Sequence, residues 1–276
     1  PFGGAEPLAA HGQLNARMRE ILLDWLWEVA AEHSLSHHDV GAAAGLVDAF
    51  LAATADCKRS EFQLLGISCL RLHLASAGGN CLTPQQAVFL TDDSYPVEEL
   101  LQMEARVARA VAYDVRPLTA RAALSFLAEL EDGHYAATRP KGEANRRGGF
   151  YHDLTAALAE YLCDLSVQKA GLWRWHPLEV ACSALAIARY NAAAPRPIRV
   201  ADAAARWVVP REDCITALRR TCEDNRQNEP KHLRSAVPRF AEPHKTVLNS
   251  VAPRELIKAI APQAALAPTG GGASSA

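Results

Sequence analysis

The apolar residues of this chain recur every three or four positions along almost its whole length, and this feature most limits the folds open to it. The opening segment shows the spacing clearly, with Met18, Ile21, Leu22, Trp25 and Val29. Such a period places apolar side chains on one face of a helix. Alternating runs of β-branched residues, which are typical of strands, are scarce, and the helix former alanine is the commonest residue. An all-α fold is therefore predicted.

Five helices are predicted in the first half, and capping residues mark several of their starts. Ser36 and Asp39 lie near the N-cap of the second helix, and Thr83 precedes Pro84 at the start of the fourth. The third helix is apolar on most of its faces, which is typical of a helix in the centre of a bundle. The predicted segments are about 13–33, 36–53, 60–76, 83–91 and 96–113.

A natural boundary follows at 114–117, and a second set of helices comes after it at similar spacing. Its third member is again the most apolar. We therefore predict two five-helix bundles in tandem. The predicted segments of the second set are about 118–130, 153–168, 177–190, 199–207 and 210–225.

The predicted organisation has four parts. Residues 1–12 form an N-terminal flank, 13–115 the first bundle, 116–227 the second bundle, and 228–276 a C-terminal extension with a flexible tail. Within the second bundle, residues 131–150 are polar and glycine-rich, so they are predicted to form a mobile loop.

Charge and composition exclude several classes of protein. Lys and Arg number 29 against 31 Asp and Glu, and the net charge of -2 argues against a general nucleic-acid binder. No run of 18 apolar residues appears, so no membrane contact is expected. The 7 cysteines lack regular spacing or a CxxC pair, which indicates free thiols in a reducing compartment.

No enzyme motif is present. The phosphate-binding, dinucleotide, zinc-protease and serine-hydrolase signatures are all missing. His33, His37 and His38 are separated by a predicted turn, so they are expected to form a solvated helix junction and not a metal site. We expect no catalytic residue, metal or cofactor, and a binding module is favoured over an enzyme.

Four ordered motifs carry a resemblance to a known family. Residues 17–29 read Met-Arg-x-Ile-Leu-x-Asp-Trp-Leu-x-Glu-Val from Met18 onward and resemble the opening of a cyclin box. Residues 46–51, 62–66 and 90–104 resemble the segments that follow in that family. The chain is similar to the A/B-type cyclins and in places to the F-type cyclins. The second half resembles them more loosely, so the resemblance implies two tandem cyclin boxes.

A buried ion pair is expected on the first two helices. Arg19 lies beside apolar neighbours, and Asp48 falls on the apolar stripe of the second helix. A buried arginine must be paired, because an isolated buried charge costs several kcal/mol. The resemblance implies that Arg19 and Asp48 form this pair and fix the first helix.

The first helix also carries a candidate binding surface. Met18, Ile21, Leu22 and Trp25 lie at i, i+3, i+4 and i+7, and on spacing alone this is a core face. The resemblance instead implies an exposed patch that binds short Arg-x-Leu-type peptides. The implied patch comprises Met18, Ile21, Leu22, Trp25, Glu28, Arg59, Phe62 and Gln63.

The kinase-facing side departs from the family pattern. Glu104 and Tyr113 match an acidic and a hydrophobic kinase-contact position, but Ala77 stands where the family has a lysine. Alanine cannot donate a side-chain hydrogen bond to a kinase carbonyl, and losing such a bond costs about 2–5 kcal/mol. Arg71 and His73 are one turn away and are expected to point elsewhere.

Two functions are therefore expected. The first is a cyclin-like regulatory protein that binds a cyclin-dependent kinase, docks substrates through the patch, or does both. The second is an adaptor or scaffold with a cyclin fold that activates no kinase, in a ubiquitin ligase or another multiprotein assembly. The implied location is the nucleus, the cytoplasm or both.

Overall fold

The computed structural model describes residues 6–55, 57–78, 81–138, 153–169, 171–191 and 209–227. These residues form nine α-helices and no strand. The helices are α1 (Ala16–Glu32), α2 (His37–Ala53), α3 (Phe62–Ala77, preceded by a 3₁₀ turn at Arg59–Glu61), α4 (Pro84–Phe89), α5 (Val97–Ala110), α6 (Ala120–Thr138), α7 (Asp153–Gln168), α8 (Pro177–Asn191) and α9 (Glu212–Gln227).

Side-chain caps fix the starts of three helices in the first half. The Asn15 side chain accepts a hydrogen bond from the Met18 N–H at the start of α1. Ser36 and Asp39 form a reciprocal capping box on α2, as the sequence predicted, and Thr83 does the same with Gln86 on α4. Because these caps satisfy orphan N–H groups, they fix where each helix begins.

Helix α3 lies in the centre of the first bundle. Its residues Leu65, Ile67 and Leu70 are fully buried, and α1, α2 and α5 pack around it. Gly66 permits a close approach to α1, since a Cβ there would lie 2.7 Å from Leu22 Cδ1. The third helix of the first half is therefore central, as its all-round apolar pattern predicted.

The second bundle repeats this arrangement around α8. Ala181, Cys182, Ala184 and Leu185 are fully buried in it, and α6, α7 and α9 pack against it. The core of this bundle is a hydrophobic cluster separate from that of the first. The predicted all-α fold of two tandem bundles is confirmed.

The boundaries differ from the prediction at α6. This helix continues to Thr138, whereas the sequence predicted its end near 130 and a loop from 131. Gly133 costs about 1 kcal/mol inside a helix, and the strong formers Ala136 and Ala137 follow it. The rest of the predicted loop (139–150), the predicted helix at 199–207 and the extension 228–276 lie outside the described residues.

Within the described residues, no helix combines the length and the apolar character needed to cross a membrane.

Candidate functional site

One face of α1 is only partly covered by the rest of the chain. Met18 and Trp25 are half-buried against the first core, and Ile21 is 44% exposed. Leu22 lies on the same face but points inward and is 6% exposed. The face is therefore neither a plain core face nor fully open, and it offers apolar surface above a buried floor.

Helix α3 supplies the other half of that floor. Leu22 lies against Gly66, and Phe62 and Gln63 stand one turn before Gly66 on the neighbouring surface of α3. Phe62 is 5% exposed, whereas Gln63 is half-buried. The residues of the predicted patch thus divide into a buried floor, made of Leu22 and Phe62, and accessible side chains around it.

Charged groups complete the rim. Glu28 follows Trp25 by one turn and is exposed, and Arg59 is exposed at the start of the 3₁₀ turn before α3. The Glu28 carboxylate forms no ion pair within the described part of the chain. It is therefore available to a cationic ligand. We call this surface the α1 groove: Met18, Ile21, Leu22, Trp25, Glu28, Arg59, Phe62 and Gln63.

Arg19 holds α1 in place behind the groove. Its Nε and Nη2 donate to the two Asp48 oxygens at 2.7 and 2.6 Å, as predicted from the sequence. Burial opposes the charge of Arg19, but the attraction and hydrogen bonding of Asp48 outweigh it and raise the arginine pKa. The pair fixes α1 against α2.

The same arginine also joins the two bundles, which the sequence did not predict. Arg19 Nη1 donates to the main-chain carbonyl of Val167 at 3.0 Å, at the end of α7. The next residue, Gln168, is fully buried; its amide donates to the Glu20 carbonyl at 2.7 Å and accepts from the Trp27 indole at 3.1 Å. The orientation of the groove helix therefore depends on the second bundle.

His37 and His38 are part of this contact between the bundles, which corrects the prediction of a solvated helix junction for these two residues. His37 Nδ1 lies 2.6 Å from an Asp164 oxygen on α7, and His38 Nδ1 lies 2.8 Å from the Thr119 hydroxyl. Asp164 also accepts from Arg121 at 3.0 Å. Only contacts distant in sequence reveal this role, and no local motif could have indicated it. We call the contact formed by Arg19, Gln168, His37, His38 and Asp164 the bundle seam.

A second arginine–carboxylate pair lies between α3 and α5. Arg71 grips both Glu104 oxygens through Nε and Nη2, the latter at 2.6 Å. Glu104 is only 8% exposed, and the hydrogen bond with it raises the pKa of Arg71. The expectation that Arg71 points elsewhere was wrong, because α3 and α5 pack closely enough for the guanidinium to reach across. His73 does point elsewhere and approaches Asp39 on α2.

The other two predicted kinase-facing residues lie open to solvent. Ala77 is the last residue of α3 and is exposed, with only a methyl group to offer. Tyr113 is exposed just after α5 and has a left-handed φ of 64°. Its main-chain N–H donates to the Ala108 carbonyl at 2.7 Å, which holds the turn in place.

Within the described residues, no group of three or more His, Cys, Asp or Glu side chains is arranged to hold a metal ion.

Known proteins resemble this chain in sequence and in fold. The model of the cyclin N-terminal domain family matches residues 5–116, which contain the α1 groove. Cyclin-A1-2 of Arabidopsis thaliana is 32% identical over 180 residues, which cover 64% of this chain and 37% of that protein. Cyclin-F of Xenopus laevis is 28% identical over 214 residues, covering 76% and 25%. Residues 5–116 therefore carry the cyclin N-terminal domain.

The likeness in fold to a known cyclin also includes the second bundle. The crystal structure of a viral cyclin from herpesvirus saimiri superposes with a TM-score of 0.55 over 88% of this chain and 92% of the viral one. Its sequence identity is 14%, so this comparison supports the fold. The chain spans less than half the length of the two sequence relatives described above.

Proposed function

We propose that this chain is a cyclin-like regulatory protein, without enzymatic activity of its own, that captures Arg-x-Leu-type peptides in the α1 groove. The observation that carries the proposal is the partial exposure of Met18, Ile21 and Trp25 above a buried floor. Apolar side chains left uncovered in a groove with a polar rim are typical of peptide-recognition sites.

Each part of the groove has a matching part in such a peptide. The leucine side chain would lie against Met18, Ile21 and Trp25, where burial contributes about 25 cal/mol per Å² of apolar surface. The peptide arginine would meet Glu28, whose carboxylate has no ion pair within the described residues. A charge-assisted hydrogen bond between them is about twice as strong as a neutral one.

A matched pair of variants tests the apolar half of the groove. Ile21 is 44% exposed in the groove, and Leu118 is 46% exposed on the segment between the bundles. We expect Ile21→Ala to weaken binding of a fluorescent Arg-x-Leu peptide several-fold in an anisotropy titration, and Ile21→Ala with Trp25→Ala to weaken it at least about tenfold, or 1.4 kcal/mol. Leu118→Ala is expected to leave the affinity unchanged.

The rim is tested with the same peptide. Glu28→Gln keeps the shape of the side chain and removes its charge, so we expect a loss of about 3- to 10-fold for the arginine peptide. A peptide with citrulline in place of arginine should bind the wild-type and Glu28→Gln proteins equally. Equal affinity of the arginine peptide for the wild-type and Glu28→Gln proteins would exclude Glu28 as its partner. Equal affinity of this peptide for the Ile21→Ala/Trp25→Ala and Leu118→Ala proteins would exclude the groove as its binding site.

We further propose a cyclin-dependent kinase as the partner of the surface around Ala77, Glu104 and Tyr113, which we call the α3–α5 face. The nucleus or the cytoplasm would be the place of action. Tyr113 and Leu101 are exposed there and offer apolar surface for an interface.

Two observations favour a second candidate, an adaptor that activates no kinase. Ala77 offers no donor, and Arg71 already occupies both Glu104 oxygens. Such an adaptor would serve as substrate receptor in a ubiquitin ligase or as a structural subunit of a larger assembly.

Reconstitution with cyclin-dependent kinases separates the two candidates. A regulatory subunit would co-purify with a kinase and raise its phosphorylation of a peptide substrate, whereas the adaptor would do neither. For the adaptor, Ala77→Lys alone is expected to restore little activity. Robust kinase activation by the wild-type chain would reject the adaptor, and the absence of both binding and activation would reject the kinase partner.

A further inference from the structure

We propose that a groove in the second bundle, between the segment 171–175 and helix α9, docks an acidic peptide segment of a partner protein. The groove has a volume of about 870 Å³ and is separate from the α1 groove. Its floor is apolar, because Leu172 and Trp175 are buried in it. The inference does not depend on the function proposed above.

One cation is already oriented over this floor. The Arg174 guanidinium lies 5.2 Å from the Trp175 ring centroid, and its Nε donates to the Gly171 carbonyl at 2.9 Å. Stacking on the indole holds the planar fork in place, so less rotamer freedom is lost when a ligand binds. Arg174 forms no ion pair within the described residues, and its two Nη groups remain available as donors.

A second cation lies on the other wall. Arg220 is exposed on α9 and lines the groove, and it forms no ion pair within the part of the chain that the structure describes. The remaining arginine, Arg211, is already used, since it binds Asp213 at 3.0 Å and Glu179 at 3.4 Å. Two guanidinium groups that line one groove and have no carboxylate partner within the described residues favour an anionic ligand.

The acids of the groove do not cancel this charge. Asp213 is held as an anion by its hydrogen bond with Arg211, which helps to lower its pKa to about 2, so its charge is matched inside the chain. Glu212 is the other acid of the groove lining and lies at the first turn of α9. Two cations of the lining, Arg174 and Arg220, outnumber this acid, so the balance remains positive.

The dimensions and charges fit a short peptide better than a nucleic acid. The α9 wall from Glu212 to Thr221 is about 14 Å long at 1.5 Å per residue, which matches four or five extended residues. A phosphate backbone running along the groove would meet Glu212 and Asp213, and the whole chain has a net charge of -2. A peptide can place its carboxylates at Arg174 and Arg220 and avoid the two acids.

The test uses the full chain and a fluorescent peptide with three consecutive glutamates. We expect measurable binding by anisotropy at low salt, weakening as salt rises, and no binding of the same peptide with glutamines. Arg174→Gln with Arg220→Gln should reduce the affinity about tenfold or more. Arg109→Gln is the matched control, because Arg109 is exposed on α5 and its Nε bonds its own helix at the Ala105 carbonyl.

Three results would overturn the proposal. The first is that the glutamate peptide fails to bind the wild-type chain or binds no better than the glutamine peptide. The second is equal binding by the double variant and by Arg109→Gln, with both variants shown to be folded by their circular dichroism and thermal unfolding. The third is tighter binding of a single-stranded oligonucleotide through the same two arginines, which would assign the groove to nucleic acid.

Discussion

The bundle seam and the α3–α5 face both contain an arginine that grips a carboxylate with two hydrogen bonds, yet the two pairs do different work. Arg19 is 3% exposed and also binds the Val167 carbonyl of the second bundle. The Arg71–Glu104 pair joins two helices of one bundle, next to exposed surface. The Arg19–Asp48 pair, here the seam pair, therefore links the two bundles. The Arg71–Glu104 pair, here the outer pair, instead neutralises the Glu104 carboxylate close to the surface.

This difference predicts unequal costs of breaking the two pairs. Arg19→Met keeps most of the side-chain volume but leaves Asp48 without its cation and breaks the link to α7. Removing one member of a buried pair costs about 3–5 kcal/mol. We expect a loss of this size in the free energy of unfolding, measured by urea denaturation, and a weaker Arg-x-Leu affinity because α1 is no longer fixed.

Arg17→Met is the matched control, because Arg17 is exposed at the start of the same helix. It should change the free energy of unfolding by less than about 0.5 kcal/mol. If the two variants unfolded at the same urea concentration, Arg19 would not hold the seam, and the contrast with the outer pair would disappear.

The outer pair is expected to cost less. Arg71→Met leaves Glu104 unpaired, but unlike Arg19→Met it breaks no hydrogen bond to the second bundle. We expect a loss of about 2–3 kcal/mol by the same measurement, smaller than for Arg19→Met because the contact between the bundles stays intact. Arg71→Met with Glu104→Leu should recover most of it, since an apolar replacement leaves no buried charge. A double variant no more stable than Arg71→Met would contradict this account.

The same variants extend the comparison to function. Arg71→Met frees the Glu104 carboxylate at the α3–α5 face without altering the α1 groove. If the internal pair keeps Glu104 from a kinase, Arg71→Met with Ala77→Lys should raise kinase co-purification above that of either single change. Unchanged co-purification would mean that the pair does not limit kinase binding.

The sequence predicted those features that follow from local pattern or from a motif. The helical period predicted α3 and α8 as the central helices, and the Ser36–Asp39 box marked the start of α2. The Arg19–Asp48 pair also followed, since a buried arginine needs a carboxylate and the resemblance named one. In each case the information lies within one helix or one recognised segment.

The remaining features depend on contacts between segments that are distant in the sequence. Arg71 reaches Glu104 across 33 positions, and His37 reaches Asp164 across 127. No periodicity reports such a distance, so the sequence alone predicts solvated histidines and an Arg71 that points away from Glu104. The division of the patch into floor and accessible side chains has the same origin. Because Gly66 has no side chain, α3 packs close against Leu22 and covers it.

The smallest predicted effect is a pH dependence confined to the bundle seam. Burial, and then the neighbouring His73, lower the pKa of His38 below its ordinary 6.5, while Asp39 opposes them. The unfolded chain therefore binds this proton more readily than the folded chain does. The stability that neutral His38 contributes is complete above about pH 6.5 and is lost as the pH falls through the lowered pKa.

The measurement is the urea midpoint between pH 7.5 and 5. His38→Asn keeps a polar group near the Thr119 hydroxyl and removes the titration, so its midpoint should fall less over this range than that of the wild type. The other charged groups near His38 are present in both proteins: His37 with Asp164 and Arg121, and His73 with Asp39. Parallel pH profiles would show that His38 does not couple protonation to the seam. The outer pair provides the contrast, because Arg71→Met leaves His38 in place. The urea midpoint of this variant should therefore fall with pH as much as that of the wild type, and more than that of His38→Asn.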